Sequence, residues 1–388
     1  MHAPLDGPAS GGTRYNRTIL REAARAGRPL LSLPWSGDAS EPPALGTMPL
    51  DAVLWDSLFL PWLADPTAWR TEVRHGLLAH YLPFENPLLH AAERRAWHSR
   101  FQRVAGRMSF FIATGRGVSR RLAQDLPGIP VTLAEPGVDP EFHAADWPIP
   151  HRRAVDPVRL ITVANLLPAK RPLELLELLA AGDADWRWLV VGEVGLDPNY
   201  AGRFRDCVES LGLSDRVALD GSPMTTPELA RALAASDIFL NYSAYESYGM
   251  ALAEAAAIGL PIVTTRVGEA ARLVEDGVTG RVIGVNRPDE FRRALEGLIR
   301  DRDLRRRCHA IARSRLPRAW PDTFARISRY LLSEMPAGAA PVPGQRRPSP
   351  RHSAPNQESC SETPGQAGHS PSRTTHEKPA GPCKGDGE

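Results

Sequence analysis

The sequence predicts an α/β protein of two Rossmann-like domains, each a parallel sheet covered by helices, with a central cleft between them. Three observations carry that prediction. Short apolar runs alternate with helix-compatible stretches along most of the chain. In the second half the runs VRLITVA, WLVVG, DIFLNY and PIVTT are apolar almost throughout, as strands buried on both faces are. The alternation restarts after Asp146–Pro157, a stretch rich in proline and charge that separates two series of such units. Strand–helix–strand units of this kind cross over with one hand and build parallel sheets, and open α/β sheets bind ligands beyond the carboxyl ends of their strands. A cleft between the two sheets is therefore the expected site.

The elements follow in order. Thr13–Ala26 reads as a helix closed by Gly27. Pro29–Leu33 and Ala52–Trp55 read as short strands, and Val73–Ala79 as a third. Pro87–Val104 is a long basic helical stretch. SFFIAT (Ser109–Thr114) is a buried strand, followed by a helix near Val118–Gln124 and a strand at Ile129–Ala134. The second series is clearer. Val158–Ala164 is a strand, and Pro172–Ala181 a helix with leucines at helical spacing. Trp188–Gly192 is a strand and Asn199–Leu211 a helix ended by Gly212. Arg216–Leu219 is a strand. Thr226 precedes Pro227 and Glu228 as the cap of a helix that runs to Ala235. Asp237–Tyr242 is a strand, Gly249–Ile258 an alanine-rich helix stopped by Gly259, and Pro261–Thr265 a strand. The last helices run from Pro288 to Met335.

These readings give a first domain over 1–148, a second over 149–318, a closing helix over 319–335 and a tail over 336–388. From Pro336 to Glu388 there is no Leu, Ile, Phe, Trp or Tyr, so little apolar burial offsets the entropy of ordering the chain, and the tail is predicted to be disordered. The formal net charge of +2 points to no polyanionic partner, and no nucleic acid is expected. Cys207, Cys308, Cys360 and Cys383 form no CxxC pair and no zinc spacing, which reads as free thiols in a reducing compartment. No apolar run is long enough to span a bilayer and no signal peptide is apparent, so a cytoplasmic protein is expected. Arginines at 302, 305, 306, 307, 313, 315 and 318 crowd the late helices; a peripheral hold on an anionic membrane and a merely solvated face both account for them.

The chemistry concentrates in Ser243–Glu254, SAYESYGMALAE, which begins where DIFLNY ends and then opens a helix. Helix amides near Ser247, Tyr248, Gly249 and Met250 carry partial positive charge and make an anion site. Gly249 lets a ligand approach the backbone closely. Glu246 lies in the loop and Glu254 inside the helix, placed to grip hydroxyls of a sugar and a ribose. A dipole-favoured carboxylate and a solvated helix face would produce the same spacing.

This segment resembles the E-x7-E motif of family-4 retaining glycosyltransferases (glycosyl transferase group 1), which have the GT-B fold. Other stretches agree in order. TVANLLPAK (Thr162–Lys170) resembles the strand and loop whose lysine meets the donor diphosphate. LVVG (Leu189–Gly192), Ser222–Met224, Gly259–Gly268 and Asp276–Gly280 resemble the segments around it. SGGT (Ser10–Thr13) resembles the glycine loop near the donor phosphates, and PGVD (Pro136–Asp139) the segment that closes the first domain. The resemblance covers residues 7–335.

It implies an N-terminal acceptor domain, a C-terminal donor domain, and a final helix, Trp320–Leu332, that packs back on the first domain. It implies a nucleotide-diphosphate sugar as donor substrate, an unidentified acceptor and no metal. Glu246 would contact the transferred sugar, Glu254 the ribose, and Lys170 the leaving diphosphate, with Gly11, Gly12, Asn165 and Gly192 also on the donor. His80 ends a strand where some members carry a sugar-facing histidine; His75 competes with it, and a structural histidine is the other reading. Two departures stand out. Asn165 occupies a position that often holds an arginine on the diphosphate. Residues 1–10 do not read as the strand that normally precedes the glycine loop, so the first sheet is expected to lack it or the chain to start upstream. An inactive nucleotide-sugar-binding relative is the main rival. A nicotinamide-dependent oxidoreductase is disfavoured because no strand is followed by G-x-G-x-x-G, and an epimerase or a phosphorylase is a third reading, the latter lacking an identifiable cofactor lysine or phosphate site.

Overall fold

A computed structural model describes residues 10–28, 30–32, 50–61, 63, 69–70, 72–143, 147, 156–314 and 318–331. The first lobe opens with α1 (Gly11–Arg25), capped by the Ser10 hydroxyl on the Thr13 amide and closed at Gly27 in the left-handed region. Then follow β1 (Ala52–Asp56), β2 (Arg74–Ala79), α2 (Ala91–Ala105), β3 (Phe110–Ala113), α3 (Arg116–Asp125) and β4 (Val131–Leu133). The four strands pair in chain order, all parallel. Their side chains alternate between two cores. Val53, Trp55, Leu77 and Phe111 face a core that α2 and α3 close with Phe101, Val104 and Leu122. Leu54, Leu78, Phe110 and Ile112 face the other, against Tyr15, Ile19 and Ala23 of α1.

The second lobe runs β5 (Val158–Val163), α4 (Pro172–Ala180), β6 (Trp186–Val191), α5 (Pro198–Ser210), β7 (Val217–Asp220), α6 (Thr226–Ala234), β8 (Ile238–Asn241), α7 (Met250–Ile258), β9 (Ile262–Thr265), α8 (Ala270–Leu273), β10 (Gly280–Ile283), α9 (Pro288–Arg300) and α10 (Arg302–Arg313). The sheet order is β10-β9-β8-β5-β6-β7, all parallel. Chain order reverses between β5 and β8, and a doubly wound sheet binds its ligand outside that switch point. Both faces are covered, with Leu160, Trp188 and Leu240 in one core and Ile161, Phe239 and Ile262 in the other. The chain returns to the first lobe at Arg318, whose carbonyl accepts the Val138 amide, and α11 (Trp320–Arg329) lays Trp320, Phe324 and Ile327 into the α1 core.

The two parallel sheets are the ones the sequence predicts. Four readings change. Leu30–Ser32 carry no strand; Leu30 packs on the α1 core as irregular chain, and positions 29 and 33 lie outside the described residues. The helix expected from Pro87 starts at Ala91, because residues 87–90 form turns and His90 is its cap. Thr225 rather than Thr226 caps α6, in a reciprocal box with Glu228. The strand β10 starts at Gly280, in a stretch for which the sequence suggests no strand. Much of the boundary at 146–157, the strand question at residues 1–9, Leu332 and the 336–388 tail lie outside the described residues.

The basic α10 is largely self-paired. Arg305 donates to the Leu298 and Ile299 carbonyls at the end of α9, Arg306 meets Asp303, and Arg313 donates to the Trp147 carbonyl. Among the described residues no helix is long and apolar enough to cross a membrane.

Candidate functional site

The site forms where the carboxyl ends of β5 and β8 diverge. From β5 the chain enters a loop and a 3-10 turn, Pro168–Lys170, and Arg171 at φ 53° redirects it into α4. From β8 it passes through Ser243 and Glu246 to Gly249, whose φ of 100° starts α7 with no side-chain cap. The two loops meet at the Lys170 ammonium, 2.6 Å from Glu246 Oε1. Glu246 also accepts from the Ser243 hydroxyl, which in turn is held by Asn241. These contacts fix the carboxylate and the ammonium against each other while both side chains keep some exposure.

Glu254 lies on α7 with a side chain 4% exposed. Its Oε1 accepts from Arg14 of α1, in the opposite lobe, and Arg14 also donates to Asp139. Burial pushes the Glu254 carboxyl up to about 7; Arg14 opposes that rise and Asp139 adds to it. The glycine pair stands where the two lobes touch. A Cβ on Gly11 would lie 3.3 Å from Met250 Sδ, and one on Gly12 would lie 3.4 Å from the His80 ring. The first turn of α1 thus abuts the first residue of α7.

His80 follows β2, and its Nε2 is committed to Asn16 Oδ1 at 3.0 Å and Asp56 at 3.3 Å. Burial would raise the Asp56 carboxyl, but His80, the Leu58 amide and the Asn16 amide outweigh it and hold the group below its ordinary value. His75 is a different residue in kind. It is buried at the start of β2, accepts from the Trp55 indole at Nδ1, and places Nε2 against the Arg70 carbonyl. Desolvation lowers its pKa, and a neutral imidazole with both nitrogens used is a core group.

The remaining predicted residues divide by place. Asn165 accepts the Glu193 amide and so ties the β5 loop to the β6 loop. Gly192 ends β6 so close to β5 that a Cβ would lie 2.0 Å from the Ala164 carbonyl oxygen. Its glycine serves strand packing. Ser247 and Tyr248 sit at the lobe boundary: a Cβ on Gly115 would reach the Ser247 carbonyl at 2.8 Å, and Tyr248 contacts Arg272. Across the same boundary, Tyr81, next to His80, meets Tyr245, next to Glu246, edge to face at 5.7 Å.

Two groups escaped the sequence reading. Arg14 and Asp139 join the lobes at Glu254. Glu135, 1% exposed, gathers Arg116, Arg272 and Arg318, while Glu269 accepts the Arg116 amide. Proximity to the glycine loop was the only hint for Arg14, and a buried acidic hub leaves no local pattern.

Residues 145–315 match the family described as glycosyl transferases group 1. A D-inositol 3-phosphate glycosyltransferase of Pseudarthrobacter chlorophenolicus is 32% identical over 165 residues, 42% of this chain and 36% of that protein. One of Stackebrandtia nassauensis is 29% identical over 289 residues, 68% of this chain and 64% of that protein. For the first relatives the matched stretch spans about a third of their own length. The fold matches solved GT-B glycosyltransferase structures. Sucrose-phosphate synthase of Thermosynechococcus elongatus superposes with a TM-score of 0.70 at 14% identity, covering 85% of this chain and 97% of that one. HepE of Anabaena, solved with UDP-glucose, superposes with 0.62 at 16% identity, covering 85% and 98%.

Proposed function

We propose that the chain, whose residues 145–315 match the glycosyl transferases group 1 family, is a retaining glycosyltransferase. It moves a hexosyl group from a nucleotide-diphosphate sugar to an acceptor, which is a glycan, a glycolipid or a small molecule. The observation that carries this reading is the meeting of Lys170 and Glu246 at the sheet's switch point, beside an uncapped α7 that holds Glu254.

In this reading Glu246 receives hydroxyls of the transferred sugar and Glu254 those of the ribose. Lys170 and the first amides of α7 take the diphosphate. The bond from the anomeric carbon to the diphosphate oxygen breaks, and the acceptor oxygen bonds to the same face of that carbon. The acceptor proton passes to the departing diphosphate oxygen. Negative charge grows on that oxygen as the bond breaks, and a fixed cation with preorganised amides stabilises it. No divalent metal is required, so transfer is expected to persist in EDTA. His80 stands on the acceptor-lobe side, with its ring fixed by Asn16 and Asp56.

Asn165 favours a second reading, an inactive relative that binds the donor without turning it over, because an amide there adds no charge to the diphosphate site. One experiment separates the two. Purified protein is given UDP-, GDP-, ADP- and dTDP-sugars, with UDP-glucose first because HepE was solved with it. D-inositol 3-phosphate heads the acceptors, as the substrate that the relatives' names give. Nucleotide release from one donor, lost in Glu246→Ala and with the product's anomeric configuration retained, supports the transferase. Binding without release supports the inactive relative, and inversion removes the retaining assignment.

A further inference from the structure

We propose that Arg14 is the second cation of the diphosphate site, parked on Glu254 in the free protein and transferred to the donor when it binds. The inference rests on the donor-site reading above.

The charges at the site pair internally. Lys170 is held by Glu246, and Arg14 bridges Glu254 and Asp139. Both carboxylates assigned to donor hydroxyls are therefore occupied by the protein's own cations. A donor that engages Glu254 through its ribose competes with Arg14 for that carboxylate. Arg14 belongs to the first turn of α1, two positions after Gly12, where α1 touches Met250. The positive ends of α1 and α7 converge there, and a diphosphate lying between ribose and sugar passes this point. A planar guanidinium suits bidentate contact with phosphate oxygens. Lys170 alone does not neutralise a diphosphate, and Asn165 adds no charge.

The exchange leaves no buried group stranded. Asp139 keeps Arg21 on its other oxygen at 3.2 Å. Glu254 loses a charged donor and gains ribose hydroxyls, which donate to it in turn. Arg14 can make the move because its side chain is 29% exposed while that of Glu254 is 4%. The alternative is a fixed strut that holds the lobes together and never meets the ligand.

The test uses the full chain and measures binding of uridine and UDP by calorimetry, with guanosine and GDP, adenosine and ADP, and thymidine and dTDP in parallel. The quantity read is the gain in affinity from nucleoside to diphosphate. Arg14→Gln removes the charge and leaves a shorter polar side chain; it is expected to shrink that gain by on the order of ten- to a hundredfold while changing nucleoside affinity far less. Asn165→Arg added to Arg14→Gln is expected to restore part of the lost gain. Should Arg14→Gln fail to fold, Arg14→Lys keeps a cation between the two carboxylates and is expected to lower the gain severalfold by losing the two-pronged contact. An unchanged gain in whichever variant folds, with nucleoside and diphosphate weakened alike, overturns the proposal and leaves the donor reading standing. If the wild type binds no nucleoside diphosphate, the donor reading falls and Arg14 with it.

Discussion

Glu254 shows how burial and pairing oppose each other at one residue. Its carboxyl is pushed up to about 7 by desolvation even though Arg14 donates to it. A carboxyl raised in the folded state keeps its proton there while the unfolded chain has already lost it. The cost to stability is absent below the ordinary carboxylate range, grows as pH rises through it, and is complete above about 7, where it amounts to roughly 3 kcal/mol. Urea unfolding of the wild type and of Glu254→Gln across pH 4–8 should show the wild type losing stability relative to the variant as pH rises; parallel curves would refute the assignment. Lys170 makes the complementary case at the proposed donor site. Lys170→Ala should lower kcat on the order of a hundredfold to a thousandfold, as loss of one transition-state donor does, with a smaller change in donor KM. Equal loss in binding and turnover would instead give Lys170 a ground-state role. Glu246, Glu254 and Lys170 were legible because each sits in a short contiguous motif whose backbone fixes its place. Arg14 and Glu135 were not, because their partners Glu254 and Arg318 lie 240 and 183 positions away.

Among the elements, the strands of the second lobe were the most legible. A strand buried on both faces is apolar along most of its length, and β5, β6, β8 and β9 are, with Arg159 near the start of β5 and Arg187 near the start of β6 as the exposed exceptions. β10 went unread because its four residues, GRVI, begin on a glycine and include an exposed arginine, which leaves only Val282 and Ile283 to reach the two cores. Leu30–Ser32 failed in the other direction, since a short apolar run also serves as irregular chain against a helix. Gly192 carries a lesson at the same scale. Its place at a strand end suggested a ligand, yet what excludes a side chain is the Ala164 carbonyl on the neighbouring strand. Gly192→Ala should therefore force apart the ends of β5 and β6, costing about 1–3 kcal/mol or more in thermal or urea unfolding. It should weaken donor binding only through Asn165, whose side chain spans those same loops. A variant of full stability that binds donor poorly would reverse this order of cause.

Across the whole molecule, the two lobes are joined by a buried carboxylate and a returning helix. Glu135, just after β4, draws Arg272 from α8, Arg318 from the returning chain and Arg116 from α3, and its backbone carbonyl accepts the Thr323 hydroxyl of α11. The three arginines are each about a third to a half exposed and can turn to water, whereas Glu135 at 1% exposure cannot. The carboxylate is thus the member that depends on the lobes staying together. On the far side Trp320, Phe324, Ile327 and Tyr330 of α11 and its last turn fill the core against α1, and a side chain on Gly137 would overlap the Trp320 backbone. That core is apolar and does not respond to charge. Glu135→Gln should therefore loosen the lobe boundary without detaching α11, lowering stability by about 2–4 kcal/mol as a buried ion-pair network is broken. X-ray scattering of the donor-free protein should then give a larger radius of gyration than the wild type. Glu22→Gln is the control, because Glu22 is also a buried glutamate but pairs with Arg25 on its own helix. A larger radius in both variants would mean general loosening, and in neither would mean that α11 and the apolar core hold the lobes without Glu135. Expansion in the Glu135 variant alone makes this carboxylate the link through which the lobes stay closed over the site.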